Sequence, residues 1–221
     1  MPLLFLVALG FGFGPIFEQA GQGNYLQFLV PGIVGMTILM SSIMSGMEII
    51  WDKQFGFLKE TLVAPVSRLK IMIGRTLGGA TVSFIQGLLV LVIAMLLGFT
   101  IKNWYLFPLA LLFMILIALA FTALGTAIGS WLDDMQGFQL IMNLLIMPIF
   151  FLSGALFPLD QMTSVIQWIT KINPLTYGVA GLRASLTGIT SISLSASFFG
   201  ILFFAIVFIV IGSWRFKKIQ I

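Results

Sequence analysis

The residues that could carry out chemistry are few, and their types exclude most catalytic sites. The chain contains no His and no Cys, which excludes zinc sites, Ser-His triads, Cys nucleophiles and haem ligation by either residue. No G-x-x-x-x-G-K-[ST] segment occurs, so the chain lacks a P-loop of its own. Asp133 and Asp134 are paired carboxylates directly after Trp131, and a solvated helix-capping turn is a more ordinary interpretation of them than an acid–base pair.

The composition indicates that the solvent of this chain is a bilayer. Of the 221 residues, 60% are hydrophobic and 8% are charged, whereas a soluble domain carries roughly 25% charged residues. An open sheet cannot satisfy its backbone polar groups in lipid, so the chain is predicted to be an all-α polytopic membrane protein. Five windows lack Asp, Glu, Lys and Arg, and each exceeds the roughly 20 residues that a spanning helix needs: 19–47, 76–101, 103–132, 135–159 and 184–214.

These windows predict five full spans, and a shorter apolar stretch at the start makes about six. The stretch Met1–Gly14 would rise only ~21 Å as a helix, against a hydrocarbon core of ~30 Å. We therefore expect span one to be truncated at Met1, with further residues upstream; the alternative is a short, tilted anchor. Residues 1–221 are predicted to form a single transmembrane domain. The five full spans are Leu26–Ile50, Thr76–Thr100, Leu106–Trp131, Gly137–Leu156 and Leu194–Trp214.

The distribution of Lys and Arg predicts the orientation, because positive residues collect on the cytoplasmic side. One set of loops holds eight: Lys53, Lys59, Arg68, Lys70, Arg75, Arg215, Lys217 and Lys218. The other set holds three: Lys102, Lys171 and Arg183. We therefore expect a multi-pass protein of the cell membrane with both termini in the cytoplasm. The sequence has no basic cluster interleaved with exposed aromatic residues, so it does not indicate nucleic-acid binding.

The span interiors lack ionisable side chains, and only Glu48 lies near a span end. Proton-coupled transporters usually place Asp, Glu or His inside the membrane. If this chain moves a substrate, we expect the energy to enter from outside the membrane. Two pairs of glycines, Gly125 with Gly129 and Gly74 with Gly78, have the GxxxG spacing that permits close helix contact.

The first long loop runs from Trp51 to Arg75 and is the most charged part of the chain. Apolar residues near helical spacing from Phe55 onwards predict a short amphipathic helix over Phe55–Ala64. Pro65 then disfavours helix at Ala64, and the chain is expected to re-enter the membrane near Ile71. This helix could be a docking element for a partner or an ordinary interfacial helix.

The second long loop, from Pro158 to about Ser193, is predicted to hold two short external helices. The first would begin at Asp160 and end at Lys171, charges that suit the helix macrodipole. Asn173-Pro174 would end that helix, and the spacing of Leu175, Val179, Leu182 and Leu186 marks the second. The two helices could form a lid over a pathway or lie flat on the bilayer.

Three segments of the chain resemble those of one known family, the type-2 ATP-binding cassette transporter permeases of the drug-exporter and daunorubicin-resistance kind. YLQFLVPGIVGMT (Tyr25–Thr37) resembles the start of that family's second span. FGFLKETLVAPVSRLKIMIGR (Phe55–Arg75) resembles its cytoplasmic loop. FFLSGALFPLDQM (Phe150–Met162) with INPLTYGVAGLR (Ile172–Arg183) resembles its fifth span and external helices, and is the most specific match.

The resemblance implies a six-span permease that pairs as a dimer with two P-loop ATPase subunits on the cytoplasmic side. Such permeases usually begin with a cytoplasmic amphipathic helix, which we would expect upstream of Met1. Asp52 matches an acidic position of the family only weakly and is given no role. The matched ATPase-coupling positions are Phe55, Gly56, Leu58, Lys59, Glu60, Thr61, Leu62, Pro65 and Arg68. Those of the external helices are Ser153, Gly154, Phe157, Pro158, Asn173, Pro174, Tyr177 and Arg183.

The predicted function is therefore that of a permease subunit of an ATP-driven exporter. It would move an apolar or amphipathic substrate, such as a drug, a lipid or a lipid-linked glycan, out of the cytoplasm. ATP and Mg²⁺ would bind the partner subunit, and this chain would hold no catalytic residue, cofactor or metal. The alternative is a stand-alone secondary transporter or channel, which the uncharged spans disfavour. An intramembrane enzyme is the least supported, because His, Cys and buried acids are missing.

Overall fold

A computed structural model describes residues 2–19, 24–57, 65–159 and 163–216, and in this part of the chain every regular element is helical. The described residues contain no strand, so the all-α prediction is confirmed. A 3-10 turn, Trp104–Leu106, precedes the fifth helix. The helices are α1 (Pro2–Gln19), α2 (Tyr25–Met44), α3 (Met47–Gln54), α4 (Arg68–Leu96), α5 (Phe107–Trp131), α6 (Met135–Phe151), α7 (Ser164–Ile172), α8 (Pro174–Thr187) and α9 (Leu194–Phe216).

The long helices overlap the predicted spans, but the span predicted at Leu26–Ile50 is divided into α2 and α3, and α4 ends at Leu96 rather than Thr100. Four stretches are long and apolar enough to cross a bilayer: Tyr25–Gln54, Arg68–Leu96, Trp104–Trp131 and Leu194–Trp214. Pro2–Phe17 and Met135–Phe151 are apolar but shorter. Helix α4 begins at Arg68 rather than Thr76, because its basic residues belong to the first helical turns and not to a loop. Helix α6 ends at Phe151 rather than Leu156, because the chain turns at Gly154, whose φ is +74°.

Helix α5 lies at the centre of the bundle and packs against α2, α4, α8 and α9. The predicted close approach at Gly125 and Gly129 is confirmed: a Cβ there would lie 2.5 Å from the Ile43 carbonyl oxygen and 2.2 Å from that of Gly46. This contact lies where α2 ends and α3 begins. The second glycine pair differs, since a Cβ at Gly74 or Gly78 would meet no atom within 4 Å.

The two external helices behave differently from one another. Helix α8 is buried along nearly its whole length between α2, α5 and α9. The idea that both helices lie flat on the bilayer is therefore wrong for α8, because its small residues let it enter the bundle; a Cβ at Gly181 would lie 2.2 Å from the Phe113 ring. Helix α7 instead exposes apolar side chains, including Trp168 at 69%. The predicted start of α7, Asp160, lies outside the described residues.

The topology can be tested with single cysteines, because the chain has none of its own. Asn103 and Gln54 are both exposed and lie beyond opposite ends of α4. We expect Asn103→Cys to react with a membrane-impermeant thiol reagent in intact cells, and Gln54→Cys to react only after the membrane is opened. Labelling of Gln54→Cys in intact cells would reverse the orientation.

Candidate functional site

An ion pair joins the two helices that flank residues 55–67. The Arg75 guanidinium of α4 pairs with the Asp52 carboxylate of α3, and both side chains are about one quarter exposed or less. The pair therefore joins the last turn of α3 to the first turns of α4, on either side of the loop. Asp52 was assigned no role from its weak match to the family, and its partner lies 23 residues further along the chain.

Lys53, the next residue, caps the end of the central helix. Its Nζ donates to the carbonyl oxygens of Ser130 at 3.0 Å and Leu132 at 2.9 Å, and it pairs with the Asp133 carboxylate at 3.0 Å. A cation at a helix C-terminus satisfies carbonyls that have no partner within the helix. Asp134 accepts a hydrogen bond from the Gly137 N–H and caps α6, as predicted. The last turn of α3 is thus held to α4, α5 and the start of α6.

Of the coupling positions carried over from the family, four are described. Phe55 is 70% exposed and follows α3 directly. Gly56 has a φ of +83°, a left-handed backbone that glycine adopts without strain. Pro65 is exposed, and Arg68 opens α4. The remaining positions lie outside the described residues: Leu58, Lys59, Glu60, Thr61 and Leu62. The predicted Phe55–Ala64 helix therefore remains a prediction.

At the opposite end of the bundle, Arg183 is 2% exposed, although its charge was expected in an external loop. Its Nε donates to the Phe28 carbonyl oxygen at 3.1 Å, and one terminal nitrogen donates to those of Gly154 at 3.0 Å and Ala155 at 3.1 Å. The guanidinium also lies 3.8 Å from the centre of the Phe28 ring. Helix α8 is not among the helices long enough to span a membrane. Burial lowers the pKa of Arg183 to about 9, so its guanidinium stays protonated at pH 7.

The other external positions build the turn that Arg183 holds. The Ser153 hydroxyl donates to the Phe150 carbonyl oxygen at 2.6 Å, while Phe157 and Pro158 follow at the surface, Phe157 being 53% exposed. Gly32 of α2 packs onto this turn, since a Cβ there would lie 2.3 Å from the Ala155 carbonyl oxygen.

Asn173 joins α8 to α6, and Pro174 follows at the first position of α8, where a missing N–H costs nothing. The Asn173 amide nitrogen donates to the Ile149 carbonyl oxygen at 2.6 Å, and its oxygen accepts from the Leu175 N–H at 3.0 Å. The Tyr177 hydroxyl donates to the Lys171 carbonyl oxygen at 2.7 Å and so ties α8 to α7. All eight external positions of the family pattern are described, and most of them bond within this corner.

Helix α6 carries a polar face that the sequence analysis missed. Gln136, Gln139 and Asn143 recur at helical spacing, are exposed, and have no hydrogen-bond partner among the described residues. We call these three residues the amide stripe. Its signal was present in the sequence as amides at i, i+3 and i+7 within an uncharged span. An amide exposed to lipid loses its hydrogen bonds, so this face suits water or another protein surface.

No group that could hold a metal ion occurs among the residues whose placement is described. The site offers three features instead. Phe55 is exposed at the end of α3, Arg183 is a buried cation held by carbonyl oxygens, and the amide stripe is an uncharged polar face of α6. Such an arrangement can bind a partner and line a path, but it brings together no nucleophile and base.

Comparisons with known proteins match this chain to one family and to several transport permeases. Residues 1–187 match the family model described as ABC-2 type transporter. The chain is 32% identical to the putative transport permease ycf38 of Cyanophora paradoxa, over 99% of this chain and 79% of that protein. It is 30% identical to nodulation protein J of Rhizobium leguminosarum bv. trifolii, over 85% and 71%. It is 26% identical to the inner membrane transport permease YadH of Escherichia coli, over 85% and 73%.

The buried clamp predicts a large effect of Arg183 substitutions on stability. Arg183→Met leaves three carbonyl oxygens without their donor, and we expect the apparent melting temperature in detergent to fall by roughly 5–10 °C. Arg183→Lys keeps the charge but loses the planar guanidinium that donates in several directions. Its melting temperature should therefore lie between those of wild type and Arg183→Met. Lys171→Met, which removes an exposed cation 4.9 Å from the Trp168 ring, serves as the control and should change little. Equal melting temperatures for Arg183→Met and wild type would show that the clamp is dispensable.

Proposed function

The chain belongs to the ABC-2 type transporter family, and we propose that it is the membrane-spanning subunit of an ATP-driven exporter. In this proposal a separate P-loop ATPase binds ATP and Mg²⁺ and hydrolyses the nucleotide, while this chain provides the path through the cell membrane. Both termini and the loop between α3 and α4 would lie in the cytoplasm. The observation that carries the proposal is the firmly held end of α3, from which an exposed aromatic side chain projects.

A permease can use the work of an ATPase only if the element that is pushed does not yield. The last turn of α3 is connected for this role, because Asp52 pairs with Arg75 of α4 and Lys53 binds carbonyl oxygens at the end of α5. A displacement applied at Phe55 would therefore pass directly to the central helix and its neighbour. Glu60 and Leu58, in the part of the loop outside the described residues, are proposed to extend this contact with the ATPase.

We propose that two copies of the chain enclose the path, with the amide stripe of α6 facing it. The stripe is uncharged, and the exposed Leu140, Leu144 and Met147 lie beside it on the same helix. A path with both amide and apolar groups suits an amphipathic substrate with neutral polar groups, such as a drug, a lipid or a lipid-linked glycan. Against lipid alone, three unpartnered amides would be costly.

The ATPase contact predicts a specific defect at Phe55. Phe55→Asp places a carboxylate in an apolar contact without disturbing the fold, because the side chain is exposed. We expect this variant, purified in mild detergent from its native cell, to lose most of the P-loop ATPase that accompanies wild type. Tyr105→Asp, a fully exposed aromatic position at the opposite end of the bundle, is the matched control and should retain the ATPase.

Absence of a P-loop ATPase from the wild-type preparation would contradict the proposed function itself. Retention of the ATPase by Phe55→Asp would instead remove Phe55 from the contact while leaving the function intact.

The amide stripe predicts a difference in water access within the membrane. Gln139→Cys and Asn143→Cys should react with a hydrophilic thiol reagent in native membranes, because water or a polar path faces them. Phe203→Cys, at an exposed apolar position of α9, should stay unreactive, because lipid covers it. Reaction rates for Asn143→Cys no higher than those for Phe203→Cys would mean that α6 turns this face to lipid.

A further inference from the structure

A cleft of about 650 Å³ opens on the side of the bundle, between the junction of α2 with α3 and the first half of α4. Small-molecule sites typically have volumes of roughly 300–1,000 Å³, with mainly apolar walls and a few polar groups. Three methionines, Met40, Met44 and Met47, supply thioether surface on one side. Val82 supplies apolar surface on the other.

The cleft exists because glycines shape both of its walls. Gly46, at the junction, packs on α5, since a Cβ there would lie 2.1 Å from the Gly125 carbonyl oxygen. Helix α2 ends at Met44 and α3 begins at Met47, on either side of this contact. On α4, a Cβ at Gly79 would lie 2.7 Å from the Ser45 hydroxyl oxygen, whereas a Cβ at Gly78 would meet nothing within 4 Å. The wall is therefore closed at Gly79 and open at Gly78.

The charges around the cleft leave one negative charge uncompensated. Arg75 lines the cleft, but its guanidinium is paired with Asp52. Glu48 also lines it, is exposed, and has no ion-pair or hydrogen-bond partner within residues 2–19, 24–57, 65–159 and 163–216. Glu48 lies near the end of a membrane span, where a ligand of opposite charge can balance its carboxylate. The cleft thus presents one carboxylate beside apolar and thioether surface.

We infer that this cleft binds an amphipathic organic cation with a single positive charge. The cationic centre would lie near the Glu48 carboxylate and the face of Trp51, which also lines the cleft. Aromatic faces attract cations, and this attraction strengthens where water is excluded. The apolar groups of the ligand would contact Met40 and Met44, whose flexible thioethers adapt to irregular shapes. An anion of the same shape would be repelled by Glu48.

This binding reaction requires neither ATP nor a second subunit. Only one consequence rests on the proposed function, namely that the cleft is where such a cation is loaded from the inner half of the bilayer before export. The cleft is separate from the amide stripe, which lies on α6 and contributes no residue to it.

The test uses tetraphenylphosphonium, a lipophilic monovalent cation, and the full-length chain in a neutral detergent, with the dissociation constant measured by equilibrium dialysis. Wild type should bind the cation, and Glu48→Gln should weaken binding roughly two- to fivefold, as expected for the loss of an exposed opposite charge. Gly78→Phe should abolish binding by filling the cleft. Gly74→Phe, one turn away on the same helix, has equally open space but does not line the cleft, and should bind as wild type does.

Asp134→Asn, which removes an acidic charge outside the cleft but keeps the oxygen that accepts from the Gly137 N–H, should also bind as wild type does. Tetraphenylborate, an anion of nearly the same shape, should bind wild type more weakly and should not lose affinity in Glu48→Gln. Equal affinity of wild type, Glu48→Gln and Gly78→Phe for the cation, equal affinity for the two ions, or no binding of the cation would overturn the inference.

Co-purification of the ATPase, measured in a parallel preparation from the native cell, separates this inference from the proposed function. If the ATPase accompanies the chain and the cation does not bind, the inference fails and the function stands. If the cation binds as expected and no ATPase is found, the function fails and the site stands.

Discussion

A buried guanidinium joins three separate segments of this chain, and the architecture of one whole end depends on it. Arg183 reaches from α8 to the start of α2 and to the turn after α6. No carboxylate is needed, because three carbonyl oxygens and the face of Phe28 surround the charge. Since each acceptor belongs to backbone, the clamp fixes chain paths rather than side chains. This explains why α8 is buried and why Gly32 can approach the Ala155 backbone so closely.

The other end of the bundle is held by charges of a different kind. There Asp52, Lys53, Arg75 and Asp133 are partly exposed, and exposed ion pairs each contribute only about 0.2–1 kcal/mol. These ion pairs orient α3 more than they stabilise the fold, because they connect this short helix to α4, to the end of α5 and to the start of α6. The contrast between the two ends is consistent with the proposed function, in which one end is closed by packing and the other binds a partner. At the junction of α2 with α3, Gly46 packs closely on the Gly125 backbone of α5.

The sequence could predict what depends on local composition and could not predict what depends on distant partners. Charge-free windows located the long helices, because lipid requires apolar side chains and internally satisfied backbone. Spacing alone predicted that Gly125 and Gly129 allow close packing and that Asp134 caps α6. Arg183 was misjudged because a charge in a loop and a charge buried among carbonyls look the same in sequence. Lys53 and Asp52 were not recognised, since their partners lie far along the chain.

Site-specific photocross-linking tests whether the end of α3 binds a P-loop ATPase, as proposed. A photoreactive amino acid at Phe55 is activated in native membranes, and the adducts are identified by mass spectrometry. A second sample carries the same group at Tyr105, at the opposite end of the bundle. We expect an adduct with a P-loop ATPase from Phe55 and none from Tyr105. Adducts with lipid alone at Phe55, or capture of the ATPase from Tyr105, would contradict it.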